Sequence, residues 1–434
     1  MKLFRASALL ALLFGIDKLI GLGRQVLINQ RYGLTRALDA YNVANNLPDT
    51  VVAMLSGGAL AIAIIPLLAE TLGHEGRAAM WGLFSRVTNL IFATAAVLAL
   101  ALAIFAMPLV QHIVVPGYDL DRQILVASLM RLDLIAMLIF CISGLVMGGL
   151  QAQQHFLLPG LAPILYNVGQ IGGVLLLSGR FGIYGLAYGV IGGAVLHLGI
   201  QIPGLIHYGF QWSPSLQWRH PGLLRVFRLM GPRIVNIAIV QLIFILTDRF
   251  ASFIPGEGVA SALTLGWTIM QLPQTVIGTA AATALLPSLA ELISRGDDHA
   301  LRTTLQTAIK VVLALTLLAT IISLAFVRPA VELVFEGRGK FTAENTALLI
   351  PAAQMFLLGI AGHSLVEIAV RTFYARQRPW TPLIAAALTA VVFVGLCFAL
   401  TPLMGHAGIA LANTLAFTAE ALGLLWLLRR QNVL

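Results

Sequence analysis

The chain has 434 residues, of which 59% are hydrophobic and only 10% are charged, and its mean hydropathy is +0.91. Soluble domains carry roughly 25% charged residues, so this composition excludes a protein whose surface mostly faces water. The net charge of +9 comes from Lys and Arg residues spread over short loops, without the basic block or aromatic-interleaved stripe expected of a nucleic-acid-binding protein.

Apolar runs of about 20 residues recur from end to end, and each is long enough to cross a hydrocarbon core of ~30 Å. The first run continues through Asp17 and Lys18 without an A-x-A exit, so it is not predicted to be a cleavable signal peptide. About twelve transmembrane helices are predicted, at 6–27, 40–70, 84–107, 124–150, 158–178, 183–208, 224–253, 260–293, 303–327, 346–372, 380–401 and 406–428.

The Lys and Arg residues sort by loop once the N-terminus is placed inside the cell. Sixteen of the 27 then fall on the inner side, as the positive-inside rule requires. Both termini are therefore predicted to be cytoplasmic.

The sequence nearly repeats itself after about 222 residues. IIPLLAE at 64–70 matches LLPSLAE at 285–291, and LPDTVV at 47–52 matches LPQTVI at 272–277. Further matches at an offset of 223 pair Ala152, Gln154, Pro159 and Ala162 with Ala375, Gln377, Pro382 and Ala385, and Gly185-Leu186-Ala187 with Gly408-Ile409-Ala410. Any single pair could arise by chance between Ala-rich helices, but four in the same order could not. We predict two six-helix lobes, 1–210 and 211–434, related by a parallel internal repeat.

Several charged residues fall inside predicted spans, where a charge costs at least ~2.5–3.5 kcal/mol unless it faces a cavity or a partner. Lys18 and Arg24 share one stripe of the first helix. They either form a cationic lining for an anionic substrate or snorkel towards the helix ends. Asp39 pairs with Arg24 or with Arg36.

Other charged residues have structural alternatives. Asp49 is interpreted as first-turn helix chemistry, and Arg131 and Asp133 as an interfacial pair. Asp248 either binds a coupling cation or pairs with the adjacent Arg249.

Two further features concern structure and chemistry. Glu367 and Arg371 are spaced for an i,i+4 ion pair, whereas Glu420 has no partner on its own helix. Cys141 and Cys397 both lie in apolar runs, and the histidines show no metal spacing. No P-loop, nucleophile elbow or nucleotide fingerprint is present, which disfavours an enzyme or an ATP-driven pump.

A family resemblance is carried by motifs along the whole chain. They are GLGRQVLINQRYGLTRALDAYNVANNLP at 21–48, GGALAIAIIPLLAE at 57–70, VVPGYD at 114–119, LLPSLAE at 285–291, GKFT at 339–342, TFYARQRPWTPL at 372–383 and HAGIAL at 406–411. In these motifs the chain resembles the MurJ/MviN lipid II flippases of the MOP superfamily. Members of that family usually have fourteen helices, so the last pair is expected to be lacking here.

The resemblance implies two lobes in a V around a cationic cavity, and an alternating-access flippase for an undecaprenyl-diphosphate-linked sugar. It assigns substrate binding to Lys18, Arg24 and Asp39, and a possible sodium site to Asp248. It implies no cofactor, and it leaves Na+, H+ and the membrane potential open as driving forces.

The chain departs from the family at positions that carry charge elsewhere. The arginine of the second helix falls on Val52, that of the eighth on Thr268, and a nearby glutamate on Gln271. The sodium-site positions of the eleventh helix are Phe393 and Cys397. Because these side chains lack charge, half of the diphosphate clamp and most of the cation site are expected to be missing.

Three functions remain open on this sequence. The first is a flippase for lipid II or a related precursor in the bacterial cytoplasmic (inner) membrane, with a polyprenyl-diphosphate-linked sugar lipid as its partner and cell-wall synthesis proteins as further candidates. The second is a MATE-like small-molecule antiporter, which would want acidic cavity residues. The third is a non-transporting scaffold in envelope assembly.

Overall fold

The computed structural model describes residues 2–55, 58–215, 221–431 and 433–434. Side chains are described in all of these except residues 2–11, 58–63, 221–233 and 236. Its long helices in this part of the chain are α1 Lys2–Tyr32, α2 Arg36–Leu55, α3 Gly58–His74, α4 Arg77–Ile104, α5 Leu120–Ala152, α6 Leu157–Phe181, α7 Tyr184–His207, α8 Pro221–Ser252, α9 Val259–Arg295, α10 Asp298–Val334, α11 Ala343–Leu357, α12 Ile360–Ala375, α13 Trp380–Met404 and α14 His406–Arg430. A short helix, Ala106–Leu109, and a π-helical turn, Val110–Val114, precede α5.

Eight helices of the described chain are long and apolar enough to cross a membrane, namely α4, α5, α6, α7, α9, α10, α13 and α14. The bent pair α11 and α12 makes nine if it forms one span. Among the described residues, helices lie in each of the twelve predicted spans, and α1, α2 with α3, and α8 account for the remaining three; residues 56–57 of the span 40–70 lie outside the described chain. The predicted all-α polytopic fold is therefore confirmed.

The predicted helix 346–372 is wrong as a single element, because it is broken into α11 and α12 with a bend of 42°. At the break, the Gly359 N–H donates a hydrogen bond of 2.8 Å to the Phe356 carbonyl, which closes a tight turn. A Cβ on Gly359 would meet the Thr414 hydroxyl of α14 at 2.7 Å. The glycine therefore lets the chain turn while it packs against a neighbouring helix.

Contacts between residues divide the chain into two compact units. Unit 1 comprises Met1–Tyr32, Ala40–Val114 and Tyr118–Ala238, and unit 2 comprises Gly33–Asp39, Val115–Gly117 and Ile239–Leu434. The division falls within α8, whereas the sequence places a lobe boundary at 210/211. Gly33–Asp39 and Val115–Gly117 lie in the first half of the sequence but belong to unit 2. Their position along the chain does not indicate this.

The internal repeat appears in the backbone of the two units. Gln154 and Gln377, 223 residues apart, are the described non-glycine residues with positive φ, at 61° and 57°. Gly182 and Gly405 share the same offset and the same conformation, with φ of 57° and 59°. Because positive φ is uncommon outside glycine, its recurrence at matched glutamines is strong evidence that the halves fold alike.

Close packing of α6 on α7 depends on glycine. A Cβ on Gly169 would meet the backbone of Gly193 at 2.3 Å, whereas a Cβ on Gly172 would meet nothing within 4 Å. Helices approach this closely in membranes because van der Waals packing replaces the hydrophobic driving force.

We predict that Gly169→Ala destabilises the protein and that Gly172→Ala does not. Overpacking of this kind costs about 1–3 kcal/mol because the backbones must separate. Thermal unfolding of the detergent-solubilised protein, followed by tryptophan fluorescence, measures the difference between two alanines on one helix. Equal melting temperatures for the two variants would show that α6 and α7 do not pack this tightly.

Candidate functional site

The cations predicted to bind substrate lie on α1 in unit 1. Lys18 has an exposed side chain, whereas Arg24 is half-buried. The Arg24 Nε atom is buried and has no hydrogen-bond partner among the described residues. An unsatisfied guanidinium nitrogen inside a helix bundle is costly, so a ligand that accepts its hydrogen bond would be favoured.

Asp17, on the same helix as these cations, is bonded to α6. Its carboxylate accepts a hydrogen bond from Asn167 Nδ2 at 2.8 Å, and Gly21 lies against the same amide. Asn167 is therefore a residue that sequence reasoning missed, because it lies 150 positions further along the chain. This contact fixes α1 on α6 and leaves the helix net basic.

Two tyrosines from other helices lie near Arg24. They are Tyr41 of α2 and Tyr166 of α6, and both are within reach of the charge of the guanidinium. Tyr41 is buried, and its hydroxyl bonds to Asn45. Arg24 thus lies where α1, α2 and α6 of unit 1 meet.

Asp39, predicted to pair with Arg24 or Arg36, also accepts hydrogen bonds from the backbone at the start of α9. The structure places it in unit 2 with an exposed fraction of 0%. Its Oδ2 atom accepts from the Gly258 N–H and its Oδ1 atom from the Ser261 N–H, both at 2.7 Å. A carboxylate at a helix N-terminus satisfies unpaired N–H groups and the helix dipole. We therefore assign Asp39 to capping α9.

The predicted cation site in unit 2 centres on Asp248, which is buried near the end of α8 with an exposed fraction of 4%. Phe393 and Cys397 of α13 are both fully buried, and neither offers an oxygen ligand. Over the described residues no three His, Cys, Asp or Glu side chains are placed to hold a metal ion. Asp248 as a coupling-ion site stays a prediction.

The uncharged residues at family charge positions have conventional environments. Val52 packs against the buried apolar cluster of α2, α4 and α5. The Thr268 hydroxyl donates to the Thr264 carbonyl at 2.8 Å, and Gln271 is exposed. Because none of them carries charge, they do not replace the expected cations.

Three of the remaining charged residues, Glu367, Arg371 and Glu420, have partners in unit 2. Glu367 and Arg371 form the expected ion pair at 2.7 Å. Glu420, which has no partner on its own helix, accepts a hydrogen bond at 2.9 Å from Thr389 of α13.

Arg131 and Asp133 do not form the interfacial pair expected from the sequence. Arg131 Nε donates instead to the Ala103 carbonyl at 3.0 Å. Residues two apart lie on different faces of a helix, so adjacency in sequence does not bring these side chains together.

Comparison with known proteins gives the family and the fold. The family model described as lipid II flippase MurJ matches residues 28–434. Lipid II flippase MurJ of Burkholderia cenocepacia is 28% identical over 100% of this chain and 85% of its own length. The probable lipid II flippase MurJ of Thermotoga maritima is 27% identical over 93% of this chain and 80% of its own.

Solved structures agree on the architecture. A lipid II flippase MurJ in an inward closed conformation has a TM-score of 0.80 at 20% identity and covers 98% of this chain and 89% of its own. An inward-facing MATE multidrug transporter of the MOP superfamily also has a TM-score of 0.80, at 16% identity, with 96% and 94% covered. At these identities the structures show the shared MOP fold. The match of the family model over residues 28–434 shows that the chain belongs to the MurJ family of lipid II flippases.

Proposed function

We propose that this protein is a transporter that moves a polyprenyl-diphosphate-linked sugar, lipid II or a related surface-polymer precursor, across the bacterial cytoplasmic membrane by alternating access. Membership of the MurJ family carries the proposal. The environment of Arg24 supports it, since a half-buried guanidinium with an unsatisfied Nε suits an anionic headgroup.

The chemistry of a diphosphate fits the cations of α1. An arginine fork makes bidentate contacts with phosphate oxygens, whereas a lysine ammonium acts as a point charge. Arg24 would orient the diphosphate, and the exposed Lys18 would neutralise part of its charge. Because Val52 and Thr268 are uncharged, the headgroup would be bound by fewer cations than the family resemblance implies.

The orientation and driving force follow from charge. When the N-terminus is put in the cytoplasm, sixteen of the 27 Lys and Arg residues fall on that side, and this bias supports cytoplasmic termini. A dianionic headgroup moving outwards would be driven by an inside-negative potential or by a coupled cation. Proteins that make or consume the lipid are the partners this function needs.

The proposal is tested by reconstitution of the purified protein into liposomes that carry a fluorescent polyprenyl-diphosphate sugar in the inner leaflet. We expect the lipid to become accessible to a membrane-impermeant quencher faster than in protein-free liposomes. Uptake of a cationic dye without lipid movement would instead indicate the MATE-like antiporter. Movement of neither would favour the scaffold function.

A further inference from the structure

Asp133 is a buried ionisable residue for which the proposed transport cycle has no use. It lies on α5 with an exposed fraction of 4%, and neither of its carboxylate oxygens has a hydrogen-bond partner in the described part of the chain. Arg131 does not neutralise it, since that side chain bonds to the Ala103 carbonyl. Burial of an ionised carboxylate without hydrogen bonds costs several kcal/mol, so this environment requires a compensating positive charge.

The charged and titratable groups near Asp133 come from three other helices. Asp49 of α2 is close enough for the two carboxylates to repel each other. Tyr41 and Tyr166 interact with Asp133, and both also interact with Arg24 of α1. The unsatisfied Asp133 carboxylate and Arg24, whose Nε atom is unsatisfied, thus belong to one polar cluster within unit 1.

Among the side chains that the structure describes, the remaining helices packed on α5 bring no charge to this cluster. The part of α4 that packs there, residues 95–103, has no ionisable side chain. On α7, His197 is bonded to Ser143, which lies about 15 Å beyond Asp133 along α5. On α3, Ile64 meets α5 at Gly148, further still. On α5 itself, Arg122 stacks on Tyr118 at 3.5 Å.

We propose that Asp133 and Asp49 together take up one exchangeable proton, carried by one carboxylate at a time, and that this proton controls whether Arg24 is available to a phosphate group. The coupling to Arg24 rests on the proposed function, whereas the proton site does not. When the proton leaves, two carboxylates attract the guanidinium and compete with the diphosphate. When a proton binds a carboxylate oxygen, one negative charge disappears and Arg24 is released to the headgroup.

A proton fits this site better than a metal cation does. The charged oxygen ligands in the cluster are the two carboxylates, and no third acidic or imidazole group joins them in the described chain. The Asp49 side chain is exposed at the protein surface, so its carboxylate can exchange a proton wherever that surface meets water. By linkage, diphosphate binding would then take up one proton.

The proton site is tested without any lipid, by infrared titration of the purified protein in detergent. We expect a protonated-carboxyl C=O band that disappears as the pH rises, is absent from Asp133→Asn, and is retained both in Asp121→Asn and in Glu420→Gln, which removes a second buried carboxyl. Asp121 is an exposed acid on the same helix and serves as the matched control. A band unchanged in Asp133→Asn would overturn the assignment. A band that responds to sodium at constant pH would overturn it in favour of a metal cation.

The coupling is tested by binding of a polyprenyl-diphosphate sugar at several pH values, because a diphosphate esterified at both ends lacks the terminal phosphate group that titrates at about pH 6. The wild type should lose affinity as the pH rises, by up to about tenfold per pH unit for one linked proton. Asp133→Asn should bind equally at every pH. A pH-dependent Asp133→Asn, or a pH-independent wild type, would overturn the coupling. If the wild type binds no diphosphate lipid while the infrared band persists, the proposed function and the coupling fail but the proton site stands.

Discussion

Replacing Lys18 and Arg24 together by Ala should lower the affinity for a polyprenyl-diphosphate lipid at least a hundredfold. Each cation contributes a charge-assisted hydrogen bond worth about 1.5–3 kcal/mol. Loss of both should therefore cost about 3–6 kcal/mol, and every 1.4 kcal/mol is tenfold in the dissociation constant. The uncharged Val52 offers no compensating cation. Lipid binding to the purified variant, measured by thermophoresis, gives the ratio directly.

Two controls separate this effect from a general loss of charge or of folding. Arg31→Ala removes an exposed cation from the same helix and should leave affinity unchanged. Arg24→Lys keeps the charge but loses the fork, so it should lie between wild type and double mutant. The double mutant should keep its melting temperature, because Lys18 is exposed and Arg24 is only half-buried. Wild-type affinity in the double mutant would remove both residues from the headgroup site.

Asp39→Ala should destabilise the protein strongly and leave lipid affinity unchanged in the molecules that remain folded. The substitution deprives two buried N–H groups, those of Gly258 and Ser261, of their acceptors. Each unsatisfied donor costs about 1–3 kcal/mol, so the loss should be about 2–6 kcal/mol. Thermal unfolding in detergent measures it, and Asp121→Ala provides an exposed acidic control.

Asp39→Asn refines that result. The amide keeps one oxygen acceptor but replaces the other oxygen by a donor. Asp39→Asn should therefore destabilise the protein, but less than Asp39→Ala does. Asp39→Ala with an unchanged melting temperature and a lost affinity would instead return Asp39 to the substrate site.

Sequence reasoning succeeds here wherever a single segment carries the information. The bilayer demands helices whose backbone groups bond internally, so apolar runs of the right length give the polytopic all-α fold. The internal repeat can also be detected in the sequence, because matched positions such as Gln154 and Gln377 have the same residue type, and the structure shows that they have the same backbone conformation. Glu367 and Arg371 are predictable for the same reason, since both partners lie on one helix.

The candidate site is less predictable because its partners lie far apart in the chain. Asp39 meets an N–H group 222 residues further on, which no local pattern indicates. Arg131 and Asp133 show the converse: they are close in sequence but do not pair, because residues two apart lie on different faces of α5. The break at Gly359 likewise depends on Thr414 of another helix. The sequence predicts which charged residues lie in the membrane, but the groups that they contact depend on how the helices pack.

Lipid flipping in matched proteoliposomes, by the wild-type protein and by the Lys18→Ala, Arg24→Ala double mutant, tests whether the cations of α1 hold the diphosphate of the transported lipid. If they do, a fluorescent polyprenyl-diphosphate sugar should appear rapidly in the outer leaflet with the wild type and with Arg31→Ala. With the double mutant it should appear only at the background rate of protein-free liposomes. Equal flipping by the wild type and the double mutant would contradict this role of the cations.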